Sequence, residues 1–276
     1  PISVLYRFLC LSRNLTFDRS WDTVLTLDGF LEDRQKAIAR NHPLSDFISA
    51  LPSLAVGQAP TKVQEHVELM ADEVLRVRFD PPEDFEEFEF LPIGIEGYAK
   101  RPKIRDCSRM LIVSPFLSDS VVDILAEQGR KNVLISRPDT LDELKTATLD
   151  GLEGNTDVFF LDDQAEKPEP TLEAQEQVEP QAPGSDFSGL HAKLYILETN
   201  GQASVLTGSA NATTAGLDGV NVEFLVRLSG MRRIMGVSSF LGGDDDKLSF
   251  RSMLHRYTRE GRKEPDKTQK QLENAV

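Results

Sequence analysis

Short apolar runs separated by polar and glycine-containing segments dominate the chain, and one stretch has helical periodicity. Runs rich in branched and aromatic residues favour β-strands. These runs lie at residues 2–11, 22–29, 109–116, 132–136, 157–161, 189–197, 203–211 and 223–230. Between residues 61 and 78, apolar side chains recur every three to four positions. This spacing predicts an amphipathic helix that merges into a strand near its end.

Further helices are predicted at residues 119–128, from residue 140 to 144 and at residues 248–262. Strands that alternate with helices predict an α/β protein in which helices flank a mixed sheet. The 276 residues suffice for one large or two modest domains.

Four polar side chains fall on two neighbouring predicted strands. His191 and Lys193 are two positions apart on the first strand, so we expect them to share a face. Ser209 and Asn211 have the same relation at the end of the second strand, and an Asn-Gly turn at 200–201 is expected to join the strands. An imidazole, an ammonium, a hydroxyl and an amide in one place suit a phosphate ester.

Taken singly, these residues have simpler explanations. His191 alone is explained as a core histidine, and Ser209 and Asn211 as turn formers. Arg13 is expected to be exposed, and Trp21 is expected to belong to the core. No role is assigned to the other histidines, which are His42, His66 and His255.

The joint arrangement resembles the signature of the phospholipase D superfamily: His-x-Lys, an acidic residue five positions after the lysine, then Gly-Ser-x-Asn. Glu198 occupies the acidic position, where the family usually has aspartate, and Glu223 opens the following strand, where the family tends to have another acid. The resemblance implies a phospholipase D-like mixed sheet flanked by helices, in two pseudo-repeated lobes that share one active site. It also implies phosphodiester cleavage through a phosphohistidine intermediate, with no metal or other cofactor.

Part of the motif occurs a second time near the start of the chain. Residues 11–16 align with residues 208–213, and residues 22–29 align with residues 223–230, with a loop four residues longer in the second copy. The predicted catalytic residues are therefore His191, Lys193, Ser209, Asn211 and Glu223 together with Ser12, Asn14 and Asp22.

The repeat divides the chain into an incomplete first lobe at residues 1–100 and a second lobe at residues 101–276. His191 lies eighteen residues before Ser209, so the equivalent histidine of the first copy would lie ahead of residue 1. We therefore expect an N-terminally truncated fragment that lacks half of the active site. The alternative is a degenerate first lobe, which Leu11 favours because the family prefers glycine there.

The formal net charge of −14 is unevenly distributed. Residues 162–186 hold eight acidic residues, one lysine and four prolines, which predicts a disordered acidic insertion in the second lobe. Two clusters are basic, and they comprise Lys100, Arg101, Lys103, Arg105 and Arg109, then Arg256, Arg259, Arg262 and Lys263. Each is expected to be solvated surface, with a track for a phosphate backbone as the alternative.

Cys10 and Cys107 are far apart in the sequence and have no cysteine or histidine cluster around them. We expect two buried thiols and neither a disulfide nor a metal site. No apolar run reaches the eighteen residues that a membrane-spanning helix needs. A cytoplasmic protein without a transmembrane segment is expected.

The residue types assign roles in phosphodiester cleavage. His191 is a general acid or the nucleophile, with the general acid favoured, and Lys193 supplies positive charge to the non-bridging oxygens. Glu223, or Asp22 in the first copy, orients an imidazole. Nucleic acid is the expected substrate and partner, in a nuclease of the bacterial type. The alternatives are phospholipase D or phosphatidyltransferase activity on phospholipids, and a non-catalytic nucleic-acid-binding module.

Overall fold

The computed structural model describes residues 4–13, 20–31, 33, 35–98, 101–102, 107–161, 189–243 and 249–259. Asn14 and the predicted acidic insertion at residues 162–186 lie outside these ranges. So do five members of the predicted basic clusters, namely Lys100, Lys103, Arg105, Arg262 and Lys263.

The strands are numbered in chain order. They are β1 (Leu5–Leu11), β2 (Ser20–Trp21), β3 (Val24–Leu31), β4 (Val77–Phe79), β5 (Glu87–Ile93), β6 (Arg109–Val113), β7 (Asn132–Ser136), β8 (Thr156–Leu161), β9 (Gly189–Leu190), β10 (Leu194–Thr199), β11 (Gln202–Gly208), β12 (Glu223–Met231) and β13 (Leu254–Arg256).

The α-helices are numbered in the same way. They are α1 (His42–Ala50), α2 (Thr61–Val74), α3 (Asp119–Gln128), α4 (Pro138–Glu143), α5 (Thr146–Leu152), α6 (Thr214–Leu217), α7 (Arg232–Met235) and α8 (Val237–Leu241). None of these helices has the length and apolar character that a membrane crossing requires, and this holds for the described ranges.

Eight strands form one mixed sheet in the order β13-β8-β7-β6-β10-β11-β12-β5. β6, β7 and β8 are parallel neighbours, and the other pairs are antiparallel. A smaller antiparallel sheet has the order β1-β3-β4, and β2 pairs with β9 in parallel. The predicted α/β class, with a large mixed sheet flanked by helices, is confirmed. The predicted division at residue 100 stays a prediction.

The large sheet separates two apolar layers. One face packs against α3, α4 and α5 through buried side chains such as Ile112, Leu125 and Leu141. The other face meets the three-stranded sheet, where aromatic rings from four strands pack edge-on or tilted, namely those of Phe8, Phe79, Phe90 and Phe224. Burial of these rings stabilises the contact between the sheets. This layer holds the first copy of the repeat against the second.

Several local predictions are confirmed. The β10–β11 hairpin turns at Asn200 and Gly201, whose φ angles of 50° and 84° match a type I′ turn. The helix α3 and the strand β7 have the predicted bounds, and β4 follows α2 as expected. Cys10 and Cys107 are buried thiols, and burial raises the pKa of Cys10 to about 12.

Other predicted elements differ from the structure. Residues 189–197 form two short strands, because Gly189 and Leu190 pair with β2 whereas residues from Leu194 onward pair with β6 and β11. The next strand ends at Gly208, ahead of the Ser-x-Asn motif. The helix predicted at residues 248–262 is wrong for its described part, which is a 3₁₀ turn followed by β13. Pairing of β13 with β8 supplies the backbone partners there.

We expect Gly208→Ala to lower the free energy of unfolding by at least about 2 kcal/mol. Gly208 has a φ of 149°, and an added Cβ would lie 2.1 Å from the Phe224 carbonyl oxygen. Gly151→Ala is the matched control, because Gly151 lies in α5 and an added Cβ there meets no atom within 4 Å. The control is expected to be neutral or to stabilise by up to about 1 kcal/mol. Urea unfolding measures both variants, and equal stabilities would contradict the prediction.

Candidate active site

The hairpins β1–β3 and β11–β12 have the same register at the ends that carry the repeated motif. Leu11 pairs with Val24 in the first hairpin, and Gly208 pairs with Leu225 in the second. In both, the residue before the motif serine faces the residue two positions after the acid. The sequence repeat therefore corresponds to a repeat of backbone pairing, although the connecting loops differ in length.

The first hairpin fixes Ser12 against Asp22. The Ser12 side chain donates from Oγ to Asp22 Oδ1 at 3.2 Å and accepts the Thr23 backbone N–H at 2.9 Å. The Ser12 backbone N–H donates to the Thr23 carbonyl at 3.0 Å. Because Ser12 is 2% exposed, its hydroxyl orients the carboxylate within the protein and does not face solvent.

The second hairpin repeats these contacts at Ser209 and Glu223. The Ser209 Oγ donates to the Glu223 carboxylate and accepts the Phe224 backbone N–H at 3.0 Å. The Ser209 backbone N–H donates to the Phe224 carbonyl, also at 3.0 Å. The other carboxylate oxygen of Glu223 accepts from Asn221 Nδ2 at 3.3 Å. Each motif serine thus holds one acidic side chain in place.

Backbone and side-chain bonds join the two copies. β2 pairs with β9, and the His191 backbone N–H extends this pairing by donating to the Trp21 carbonyl at 2.9 Å. The Thr207 Oγ1 donates to Thr23 Oγ1 at 2.7 Å, which links residues 184 positions apart. The segment that carries His191 is therefore attached to the segment that carries Asp22.

The charges of acidic residues from both copies act on Lys193. Its side chain is buried, at 6% exposure, and Nζ donates to the His191 carbonyl at 3.0 Å. Burial lowers the pKa of Lys193, the charges of Asp22 and Glu223 act to raise it, and Arg13 lowers it further. Acidic side chains from both copies therefore act on one ammonium group, which brings Lys193, Asp22 and Glu223 into one site.

Asn211 brings an unused acceptor to the second copy. Its Oδ1 is buried and has no hydrogen-bond partner among the residues that the structure describes. A buried amide oxygen without a partner costs free energy, so it marks a position where a donor would be stabilising. The first-copy counterpart, Asn14, lies outside the described residues.

Two first-copy residues differ from their sequence predictions. Arg13 was expected to be exposed, but its side chain is largely buried and its Nε lies 3.0 Å from Asp22 Oδ2. Trp21 was expected in the core, but it is 38% exposed and packs edge-on against Phe250. Arg13 thus adds a second cation near Lys193. In the sequence, the position of this arginine directly after the motif serine could have indicated that it belongs to the site.

Glu198 does not join the site. It lies at the opposite end of β10 from Lys193, where its Oε1 accepts the Val237 backbone N–H at 2.8 Å at the start of α8. Glu198 lies five positions after Lys193 along the chain, which corresponds to about 17 Å in an extended strand. The acidic position of the sequence signature therefore has a structural contact in this chain.

The described site combines cations, carboxylates and hydroxyls, and the half-buried His191 contacts it through its backbone carbonyl, which accepts from Lys193 Nζ. Such a set can hold an anionic oxygen between Lys193 and Arg13, and it supplies carboxylates that orient a proton-transferring imidazole. Within the described ranges, no group of three or more His, Cys, Asp or Glu side chains is arranged to hold a metal ion. Thr23 and Thr207, which sequence analysis missed, join the two copies through their hydroxyls, and the Thr23 backbone N–H also donates to Ser12 Oγ.

Comparisons with known proteins add little to the functional interpretation of this site. No protein-family model matches the chain, and no curated protein matches it. Among solved structures the chain is similar to NucT from Helicobacter pylori, with 19% sequence identity and a TM-score of 0.33. The match covers 51% of this chain and 86% of that one. A likeness of this degree carries no inference about function.

We expect Asp22→Asn and Glu223→Gln each to lower the pKa of Lys193 further, because each removes a negative charge that favours the ammonium form. The measurement is an NMR titration of ¹³Cε-labelled lysine, with the Lys193 signal assigned by its loss in Lys193→Met. Asp28→Asn is the control, because Asp28 also lies on β3 but pairs with Arg7 at the surface. A Lys193 pKa that is unchanged in both site variants would show that the two hairpins do not converge on this group.

Proposed function

We propose that the protein is a metal-independent phosphodiesterase that acts on nucleic acid through a phosphohistidine intermediate. The observation that carries the proposal is the buried Lys193, on which acidic residues from both copies of the repeat act. A half-buried histidine two residues away, fixed by its backbone to the first copy, supplies an imidazole, the side chain most often used for proton transfer. The resemblance to the phospholipase D signature supports the same chemistry.

The reaction is a double displacement at phosphorus. An imidazole nitrogen forms a bond to phosphorus while the bond to the leaving oxygen breaks, and a second imidazole, protonated beforehand, gives that oxygen its proton. Water then attacks the phosphohistidine, the nitrogen–phosphorus bond breaks, and the second imidazole takes back a proton. We assign the proton transfers to His191. The nucleophile is assigned to the histidine of a second motif copy, as the resemblance to the phospholipase D superfamily implies.

The other site residues stabilise the charge on the phosphoryl group and orient the imidazole. Lys193 and Arg13 stabilise the negative charge that gathers on the non-bridging oxygens. Glu223 and Asp22, each held by its serine, favour the protonated imidazole and keep it oriented. Asn211 offers its buried Oδ1 to a donor on the imidazole or the substrate, which would satisfy the orphaned acceptor.

Nucleic acid is the proposed substrate because Arg13 and Trp21 offer a phosphate contact and a surface for base stacking on segments that adjoin His191. Arg13 pairs with Asp22 in the site, and Trp21, whose backbone carbonyl accepts the His191 N–H, has a side chain that is 38% exposed. An exposed indole next to a phosphoryl site suits the stacking of a nucleotide base. Phospholipid hydrolysis is the competing outcome of the test below.

We expect His191→Ala to lower the rate of oligonucleotide cleavage in EDTA by about 10²–10⁴-fold, the usual contribution of a proton-transferring side chain. Labelled single- and double-stranded DNA and phosphatidylcholine vesicles are incubated in parallel with the full-length protein. His66→Ala is the control, since His66 is exposed on α2 and belongs to no motif. That variant is expected to retain the wild-type rate.

Three results would count against the proposal. Cleavage that requires added Mg²⁺ would contradict a metal-independent reaction. Hydrolysis of the vesicles with intact oligonucleotides would assign the site to lipids. Equal rates for His191→Ala and His66→Ala would show that the repeated geometry of the two motif copies has no catalytic role.

A further inference from the structure

Basic side chains from separate segments surround two adjoining cavities at the end of the large sheet away from Lys193. The first cavity, of about 540 Å³, is lined by Arg109, Lys131, Arg232 and Arg233. The second, of about 470 Å³, shares Arg109 and Lys131 and adds Arg256. We call Arg109, Lys131, Arg232 and Arg233 the basic surface.

The basic surface is distinct from the candidate active site. Arg109 pairs with Glu198 across β6 and β10, whereas Lys193 directly precedes the other end of β10. The strand between these ends is about 17 Å long. A stacked single strand rises about 3.4 Å per nucleotide, so this distance corresponds to about five nucleotides.

The charges of the basic surface are only partly compensated. Lys131, Arg232 and Arg233 are exposed, and none of them forms an ion pair with another described residue. Arg109 donates from Nη1 to the neutral Ser238 Oγ at 2.7 Å. Glu198 also lines the first cavity, but its carboxylate is buried and accepts from the Val237 backbone. An excess of positive charge at one place is notable because the chain carries a net charge of −14.

We propose that the basic surface binds the phosphodiester backbone of nucleic acid at a distance from the cleavage site. Guanidinium groups match phosphate oxygens in pairs, and several cations beside two adjoining cavities suit successive phosphates. The assignment of nucleic acid as the bound polyanion rests on the proposed function. It deepens that function, because the same strand would contact the protein near both ends of β10, at the candidate active site and at the basic surface.

The composition of the cavities favours nucleic acid over an anionic membrane. Surfaces that bind membranes combine cations with exposed large apolar side chains. The described residues that line the two cavities include no exposed large apolar side chain, since Val133 is buried. Serine hydroxyls border the first cavity instead, at Ser108, Ser238 and Ser239.

The test measures binding of a fluorescent 20-nucleotide single strand to full-length protein at several salt concentrations. His191→Ala is the common background, so that cleavage does not interfere. We expect Arg232→Glu/Arg233→Glu to weaken binding at low salt by about tenfold or more, and to reduce the salt dependence by roughly one phosphate contact per arginine. Lys131→Glu, a single change at a separate segment, is expected to act in the same direction.

The matched control is Lys36→Glu/Lys62→Glu, which changes the charge equally at two exposed lysines before α1 and in α2. It is expected to retain most of the affinity. Circular dichroism melting verifies that all variants fold. Equal affinities for both double variants would overturn the inference, as would the absence of oligonucleotide binding by the background protein. Loss of binding to phosphatidylserine vesicles alone would assign the surface to membranes and also overturn it.

Oligonucleotide cleavage is also measured for the same charge-reversal variants with His191 intact. This measurement distinguishes failure of the inference from failure of the proposed function. If the wild-type protein cleaves oligonucleotides but the charge-reversal variants of the basic surface bind them normally, only the inference is overturned. Binding that depends on the basic surface, in a protein that cleaves no oligonucleotide, overturns only the proposed function.

Discussion

One buried ammonium group constrains how the two hairpins are arranged. A cation removed from water without partners costs several kcal/mol, so Lys193 requires negative charge nearby. Asp22 supplies it from the segment between β2 and β3, and Glu223 supplies it from β12 of the larger sheet. Neither hairpin carries both carboxylates. Docking of the two sheets through their shared aromatic layer and burial of Lys193 therefore depend on each other, and the site exists only in the docked arrangement.

The motif serines explain how the carboxylates stay in position. Each hydroxyl gives its proton to an acid and receives a backbone N–H, so both of its functions are used inside the protein. The acids cannot easily turn towards solvent without breaking these bonds. Asn211 differs, since its side-chain oxygen lacks a partner in the described part of the chain. The site is thus internally satisfied except at one acceptor.

Local patterns made much of the fold predictable, whereas contacts between distant segments did not follow from sequence. The β10–β11 hairpin follows from alternating residues and an Asn-Gly turn, and the repeat fixed the relation of Ser12 to Asp22. The break at residues 191–193 arises from pairing with β2, about 170 positions away, and no local signal encodes it. The same reason applies to Arg109 and Arg256, which come from separate sequence clusters and meet at one cavity with Lys131.

The two outer strands of the eight-stranded sheet have a consequence for how the molecule behaves in a crowded solution. An unpaired strand edge is a template for joining another chain, and proteins suppress such joining by short, charged or proline-containing outer strands. β5 has exposed Glu87 and Glu89 and contains Pro92, which has no N–H to donate, while β13 is only three residues long. Both edges of the described sheet therefore resist the edge-to-edge addition that leads to fibrous aggregates.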